Sequence, residues 1–302
     1  MALVTKAIKG TRDIMPWEVY KNQFIEQTVL DIAAKFGFRE IRTPVFEHTE
    51  LFQRGVGETT DVVQKEMYTF DDKGGRSITL RPEGTSGAVR SFLEHGLFNE
   101  ALPQKLCYLL NCYRYEKPQA GRWREFQQFG VETLGAASPA ADAEIISLAN
   151  EIFAFLGVEG IELHLNSIGC PECRKNYHKA LKEYFESRKS ELCGTCLERL
   201  EKNPMRILDC KSPLCKEICK DAPVITDYIC DECSAHFKSV QKYLDAMNIE
   251  YVIDPHIVRG LDYYTRTVFE FISNQIGAQG AVCAAVSSTH LRAHETLMNL
   301  VC

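Results

Sequence analysis

Cysteines are concentrated in one part of this chain, and their distribution constrains its architecture more than any other feature. Nine of the 13 cysteines in the 302 residues fall between Cys170 and Cys233. A local shift of composition marks such a span as a separate unit. The chain is long enough for a main domain and a smaller one. We therefore predict a main domain whose two parts flank a cysteine-rich insertion.

The insertion contains three Cys-x-x-Cys pairs, which have the spacing of Zn²⁺ ligands. Two such pairs can form one closed tetrahedral site. The candidate ligands are Cys170, Cys173, Cys193, Cys196, Cys230 and Cys233. Buried cysteine also serves as a small hydrophobic residue. Structural zinc and simple core packing therefore both remain open.

The composition is that of an ordinary globular protein. Hydrophobic residues make up 45% and charged residues 25%, and the net charge of −6 indicates no global attraction to nucleic acid. No apolar run approaches the roughly 20 residues that span a bilayer. The N-terminus lacks the apolar core of a signal peptide. These features predict a cytoplasmic protein without a membrane segment, in which cysteines are thiols or metal ligands rather than disulfides.

Hydrophobic periodicity predicts an α+β fold with a largely antiparallel sheet. Apolar residues at helical spacing between Pro16 and Gly37 predict one helix, and Ser138 with Pro139 predicts the start of another that ends at Gly157. A helix is also predicted near residues 82–95, and strands near 38–46, 67–70, 77–80, 105–114, 124–132, 161–165 and between 251 and 272. The insertion is predicted to be mostly helical.

Two of these strands, residues 105–114 and 124–132, keep polar residues on one face of a hairpin. Period-two alternation puts Arg124, Gln128 and Glu132 together on that face. A polar face on an otherwise apolar hairpin is typical of the floor of a binding site. The alternative is a solvated sheet face that carries surface ion pairs.

Charged residues near this hairpin suit a phosphate and an amine. Arg114 and Glu116 are two residues apart and share a face, and Arg122 in the loop can reach a phosphate. A proline-initiated helix start carries Glu83 and Thr85, which suit a substrate ammonium group. The alternative for these two residues is a helix start with a favourable acid in its first turn.

A fourth segment, residues 257–270, brings an arginine into a glycine turn before a β-prone run. Arg259 is followed by the adjacent tyrosines Tyr263 and Tyr264. A fixed cation beside aromatic hydroxyls can hold a phosphate and a polar ring together. Alone, the segment also fits an ordinary turn and strand.

Taken in order, these segments resemble the bacterial histidyl-tRNA synthetases, a family of class II aminoacyl-tRNA synthetases. The resemblance covers residues 5 to about 284. It is carried by residues 9–13 (KGTRD), 80–85 (LRPEGT), 113–116 (YRYE), 126–132 (FQQFGVE) and 259–264 (RGLDYY). It implies the class II fold, an antiparallel sheet flanked by helices, with a mostly helical insertion. It also implies ATP-dependent activation of L-histidine to histidyl-adenylate and its transfer to tRNA(His), with ATP as a substrate and Mg²⁺ as a cofactor, and a homodimer built through residues 38–46.

The resemblance also implies roles for single residues. Arg114 and Arg259 are implied as the catalytic pair, in contact with the histidine carboxylate and the α-phosphate. Glu116 is implied near adenine, and Arg122 at the outer phosphates of ATP. The implied histidine pocket consists of Glu83, Thr85, Gln128, Glu132, Tyr263 and Tyr264.

The resemblance divides the chain into a catalytic core at residues 1–168 and 249–284, an insertion at 169–248, and a tail at 285–302 that does not resemble the family. The third class-defining motif and an anticodon-binding domain are not found, so we expect an incomplete fragment. Two alternatives remain. One is a histidine-binding regulatory paralogue that acts with ATP phosphoribosyltransferase, and the other is a zinc-dependent nucleic-acid-binding module.

Overall fold

The computed structural model shows an α+β protein with one large sheet, one small sheet and a helical insertion. It describes residues 5–56, 60, 62–119, 121–210, 212–257, 264–273, 280–288 and 295–301. Within them the helices are α1 (Val19–Lys35), α2 (Thr49–Val56), α3 (Thr85–Glu94), α4 (Pro139–Phe155), α5 (Pro171–Glu186), α6 (Gly194–Lys202), α7 (Pro213–Cys219) and α8 (Asp231–Ala246). The predicted fold class is thereby confirmed.

The strands form two sheets. They are β1 (Arg39–Glu40), β2 (Phe46–His48), β3 (Tyr68–Asp71), β4 (Ser77–Leu80), β5 (Gln104–Tyr113), β6 (Glu125–Leu134), β7 (Ile161–Ser167), β8 (Val252–Ile253), β9 (Tyr264–Ser273), β10 (Ala281–Ser288) and β11 (Glu295–Val301). The large sheet has the order β1-β5-β6-β11-β10-β9-β7-β8, and the small one β2-β4-β3. Only the outer pairs β1–β5 and β7–β8 are parallel among these, so the sheet is largely antiparallel as predicted.

Local signals place several elements close to their predicted bounds. Ser138 caps α4, because its hydroxyl accepts a hydrogen bond from the N–H of Ala140 at 3.2 Å and Pro139 occupies the first turn. The strand predicted at residues 38–46 is wrong in its middle. There the guanidinium of Arg81 donates to the carbonyls of Thr43 and Pro44, so these carbonyls bond a side chain instead of a neighbouring strand.

Two apolar cores hold the molecule together. The main core lies between the large sheet and helices α1, α4 and α8, and includes Phe129, Val131 and Phe269. The second lies inside the insertion, around Tyr177 and Phe185 on α5. Helix α8 belongs to the sequence of the insertion but contributes Phe237, Val240 and Leu244 to the main core. The insertion is therefore anchored to the sheet through its last helix.

Within the described part of the chain, no helix is both long and apolar enough to cross a membrane.

Candidate active site

Tyr108 on β5 lies at the centre of a buried polar cluster, with its ring between two glycines. Gly130 is its cross-strand partner on β6, and Gly84 lies just before α3. A Cβ atom at either glycine would overlap the Tyr108 ring. Only glycine therefore allows the ring to lie flat between the start of α3 and the sheet.

The hydroxyl of Tyr108 links two residues of the predicted histidine pocket. It donates a hydrogen bond to a carboxylate oxygen of Glu132 at 2.9 Å and lies 3.3 Å from the hydroxyl of Thr85. Burial, followed by the charges of Glu132 and Glu83, raises the pKa of Tyr108 well above its ordinary value. The phenol therefore stays protonated at any working pH, and its hydroxyl continues to donate a hydrogen bond to the Glu132 carboxylate.

Gln128 and Glu83 are held by backbone N–H groups at the start of α3. The side-chain oxygen of Gln128 accepts from Gly84 at 2.7 Å. The two carboxylate oxygens of Glu83 accept from Thr85 at 2.6 Å and Ser86 at 2.9 Å. Glu83 thus caps α3 from just before the helix and is not an acid of its first turn, and this capping does not exclude a ligand. A carboxylate accepts about four hydrogen bonds, which leaves room for an ammonium group.

Arg114, Glu116 and Arg122 form a charged cluster in the loop that connects β5 to β6. Arg114 donates to the carbonyl of Pro82 at 2.8 Å, and its guanidinium lies over the ring of Phe126 at 5.2 Å. Glu116 is paired with Arg122 at 2.7 Å and lies 3.9 Å from Arg114. The contact with Pro82 joins this cluster to the segment that precedes α3, so the predicted phosphate and amine sites are neighbours.

The N-terminal segment at residues 9–13 packs against the same hairpin. The N–H of Arg124 donates to the carbonyl of Gly10 at 2.7 Å, and Gly10 has a φ of +92°, a conformation that favours glycine. Arg12 lies over the ring of Trp123 at 5.6 Å. Arg124 does not face the buried cluster, because its guanidinium stacks on Tyr115 at 3.9 Å. Its role is to fix the loop.

The sequence analysis identified most of this cluster but missed Tyr108. A tyrosine between Cys107 and Leu109 reads as ordinary core, and the available signal was the glycine at position 130 opposite it. Arg259 and Tyr263 lie outside the described residues. Tyr264 begins β9, and its side chain also lies outside them. Their predicted roles remain predictions.

Comparisons with known proteins decide the family. The family model described as histidyl-tRNA synthetase matches residues 10–191. A histidine–tRNA ligase of Caldanaerobacter subterraneus is 58% identical over 281 residues, which are 93% of this chain and 67% of that protein. The chain belongs to the histidyl-tRNA synthetase family. A histidine–tRNA ligase of Clostridium botulinum is 61% identical over 92% of this chain and 66% of that protein. The chain thus spans about two thirds of the length of these relatives.

Solved structures agree with membership of the histidyl-tRNA synthetase family. The apo histidyl-tRNA synthetase of Staphylococcus aureus superposes with a TM-score of 0.80 at 38% identity, over 99% of this chain and 72% of that one. A Bacillus halodurans protein described as an ATP phosphoribosyltransferase regulatory subunit/histidyl-tRNA synthetase has a TM-score of 0.73 at 22% identity, which shows the shared fold alone. The closer likeness favours the synthetase over the regulatory paralogue.

Outside the candidate active site, eight cysteines of the insertion form two groups of four. The first cysteine group is Cys170, Cys173, Cys230 and Cys233, and the second cysteine group is Cys193, Cys196, Cys210 and Cys215. In each group the four sulfur atoms lie within 4.8 Å of one another. The predicted set of six ligands was incomplete, because it lacked the two cysteines that complete the second group.

One cysteine of each group has a depressed pKa. Burial by itself raises the pKa of Cys170, but hydrogen bonds from Cys173 bring it down to about 7. The backbone N–H of Cys196 is the main cause that lowers the pKa of Cys193 to about 7. By contrast, burial raises the pKa of Cys112, on β5, to about 12. Burial likewise raises the pKa of Cys173, Cys196, Cys210 and Cys233, so each group combines one readily ionised thiol with thiols that resist ionisation.

Proposed function

We propose that the protein acts as a histidine–tRNA ligase, with the buried cluster around Tyr108 as its histidine pocket. The observation that carries the proposal is the chain of hydrogen bonds that brings Glu83, Thr85, Gln128 and Glu132 together beside Arg114. These residues come from three separate segments, and they leave a carboxylate and an amide of fixed orientation in a buried place. Such groups select a polar ring by satisfying its hydrogen bonds.

In this proposal Glu132 recognises the imidazole and Glu83 the α-ammonium group of histidine. The position of Glu132 is set by Tyr108 and that of Glu83 by the start of α3, so neither carboxylate has to reorganise when substrate binds. The family resemblance assigns Tyr263 and Tyr264 to the wall of this pocket. An amino acid without ring nitrogens would lack the hydrogen bond that an imidazole N–H donates to Glu132, at a cost of about 1–3 kcal/mol.

The activation step needs positive charge at the α-phosphate. A carboxylate oxygen of histidine attacks the α-phosphorus, the bond from that phosphorus to the bridging oxygen breaks, and pyrophosphate leaves. Arg114, held by Pro82 and Phe126, stabilises the charge on the non-bridging oxygens together with Arg259. Arg122 can release Glu116 to meet the outer phosphates, while Glu116 turns to adenine.

Magnesium enters this scheme with ATP. Among the described residues, groups of three or more metal-ligating side chains are formed by cysteines alone. Mg²⁺ prefers oxygen ligands and is commonly held through substrate phosphates. We therefore assign it to the nucleotide rather than to a resident protein site.

A homodimer is the assembly that the exposed aromatic residues of the N-terminal region favour. Trp17, just before α1, and Tyr20 and Phe24, on α1, are 71%, 59% and 57% exposed. Phe46, in the segment that resembles the first class-defining motif, is 56% exposed. Adjacent exposed aromatic residues indicate an interface. We place the second copy on this surface.

The remaining parts of the proposal concern the acceptor and the location. The terminal ribose hydroxyl of tRNA(His) attacks the carbonyl of histidyl-adenylate, and AMP leaves.

The insertion at residues 169–248 acts as a unit on one side of the core, and the tail at 285–302 adds β11 to the sheet. The composition favours a cytoplasmic location.

Histidine-dependent exchange of pyrophosphate into ATP tests the activation step in the complete protein. We expect exchange with L-histidine and not with phenylalanine, and a 10²–10³-fold slower rate for Arg114→Gln, because one fixed charge at the α-phosphate is lost. Arg76→Gln is the matched control, since Arg76 lies in an exposed turn and pairs only locally with Asp72. Histidine binding without exchange would refute the ligase and favour a regulatory protein.

A further inference from the structure

The three Cys-x-x-Cys pairs of the insertion share one local geometry. Cys170, Cys193 and Cys230 are the N-cap residues of α5, α6 and α8, and the second cysteine of each pair lies in the first turn of its helix. This arrangement directs both sulfur atoms of a pair to the same end of the helix. Each pair is therefore a preformed two-sulfur ligand.

The first cysteine group joins two of these helix starts. The sulfur atoms of Cys170 and Cys173 are 3.5 Å apart, and the N–H of Cys230 donates to the sulfur of Cys173 at 3.1 Å. A disulfide requires sulfur atoms about 2.05 Å apart. Four thiolates bonded to one Zn²⁺ at about 2.3 Å lie about 3.8 Å from one another. The spacing fits a shared ion.

The second cysteine group has the same character but different connections. The sulfur atoms of Cys193 and Cys210 are 3.8 Å apart, and the N–H of Cys193 donates to the sulfur of Cys215 at 3.4 Å. Cys215 lies in the first turn of α7, and Cys210 follows the short helix Pro204–Ile207. Three segments that are separate in sequence thus converge on one point.

Cys219 shows that these groups are more than a general clustering of cysteines. It is buried in the same core of the insertion, but its thiol donates to the carbonyl of Ile207 at 3.4 Å, and it belongs to neither group. Metal ligation requires sets of four sulfur atoms that converge on one point, and both groups meet this requirement. Packing in a core does not require such convergence, as Cys219 shows.

We propose that the insertion binds two Zn²⁺ ions, one in each cysteine group. Both sites are closed, because four protein thiolates leave no position for water or substrate, and they are therefore structural. A tetrahedral set of four thiolates suits zinc or iron. Sulfur atoms within 4.8 Å of one another enclose a single ion and leave no room for a cluster of several irons.

The first site closes the insertion at its junction with the sheet. Gly169, next to Cys170, accepts hydrogen bonds from the N–H of Arg266 at 2.9 Å and the hydroxyl of Thr265 at 3.0 Å, both on β9. The ion would therefore fix the exit of the chain from β7 and its return through α8, close to the strand that follows the Arg259 segment. The second site fixes α6 against α7 within the insertion.

Metal analysis of the chain purified under reducing conditions tests the proposal. We expect about two zinc ions per chain and no stoichiometric iron. Cys173→Ser should reduce the zinc content to about one by removing the first site, and Cys210→Ser should do the same through the second. Cys219→Ser is the matched control and should retain two. Folded protein without zinc, iron in place of zinc, or equal loss from the control would overturn the proposal.

A second measurement covers the case in which a variant fails to fold. The unmodified protein is alkylated with iodoacetamide before and after treatment with a chelator, and the labelled cysteines are mapped by mass spectrometry. We expect the eight cysteines of the two groups to become reactive only after chelation, while Cys112, buried on β5, stays equally protected in both states. Equal labelling of the eight cysteines with and without chelator would refute metal ligation.

Discussion

The pocket around Tyr108 and the cysteine-rich insertion bury polar groups by different means. In the pocket each buried group is paired with a neighbour, as Tyr108 is with Glu132 and Gln128 with the N–H of Gly84. In the insertion, the starts of several helices surround sulfur atoms that lie close together but are too far apart to form disulfides. The first region is ordered by its own hydrogen bonds and by the sheet. The insertion needs bound zinc ions to become as well ordered as the pocket.

The difference follows from the supporting structure. The pocket lies on β5 and β6, two ten-residue strands whose other face is buried in the main core. The insertion has a small core of its own, and small units commonly rely on disulfides or metals. We therefore expect changes in the pocket to leave zinc unaffected, and removal of zinc to leave the pocket folded.

The largest expected effect on stability is that of Gly130→Ala. The added methyl group overlaps the Tyr108 ring, and overpacking of this kind costs about 3 kcal/mol. Urea unfolding measures the loss, and metal analysis should still find the zinc content of the unmodified protein. Gly194→Ala is the control, because no atom lies within 4 Å of its added Cβ. An unchanged unfolding free energy for Gly130→Ala would contradict the packing of Tyr108.

A smaller effect is expected where the insertion meets the rest of the molecule, at α4 and β9. Asp142 on α4 hydrogen-bonds to His236 on α8 at 2.7 Å, and Arg266 on β9 contacts the other ring nitrogen at 3.4 Å. Asp142→Ala leaves a buried histidine nitrogen unsatisfied, which should cost about 2 kcal/mol in urea unfolding. Glu151→Ala, on the exposed side of the same helix, is the control. Equal stability of both variants would show that this pair does not link the insertion to the rest of the molecule.

The smallest expected effect concerns pH. The pKa of Cys112 is raised by burial to about 12, above the ordinary value of 9.0. The folded state therefore disfavours the thiolate, so stability is complete below pH 9 and falls as the pH rises towards 12. At pH 10 the unmodified protein should lose about 1.4 kcal/mol more than Cys112→Ala, relative to pH 7.5. Urea unfolding at both values gives the difference, and identical pH dependence would refute the burial of this thiol.

Much of the pocket could be predicted from the sequence, because its residues follow local rules. Alternation along β6 put Gln128 and Glu132 on one face, and the proline before Glu83 marked a helix start. Tyr108 could not be found in this way. Its position depends on Gly84, which comes from another element and meets the sheet only in the folded chain.

In the insertion, the sequence predicted local pairs of cysteines but not the sites that they form. Cys-x-x-Cys spacing predicted pairs of ligands, but it could not decide which pairs share a site. That choice depends on how the fold brings Cys230 to Cys173 and Cys193 to Cys215. Cys210 and Cys215 lack the Cys-x-x-Cys spacing, so only the fold assigns them to the second group.

Hydrogen exchange measured by mass spectrometry, with and without a chelator, tests the contrast between the two regions most directly. We predict that chelation increases exchange across residues 170–233 and leaves β5 and β6 as protected as before, because hydrogen bonds and the main core order the pocket. An insertion whose exchange does not respond to the chelator, or a pocket that loses protection to the same extent, would contradict the account.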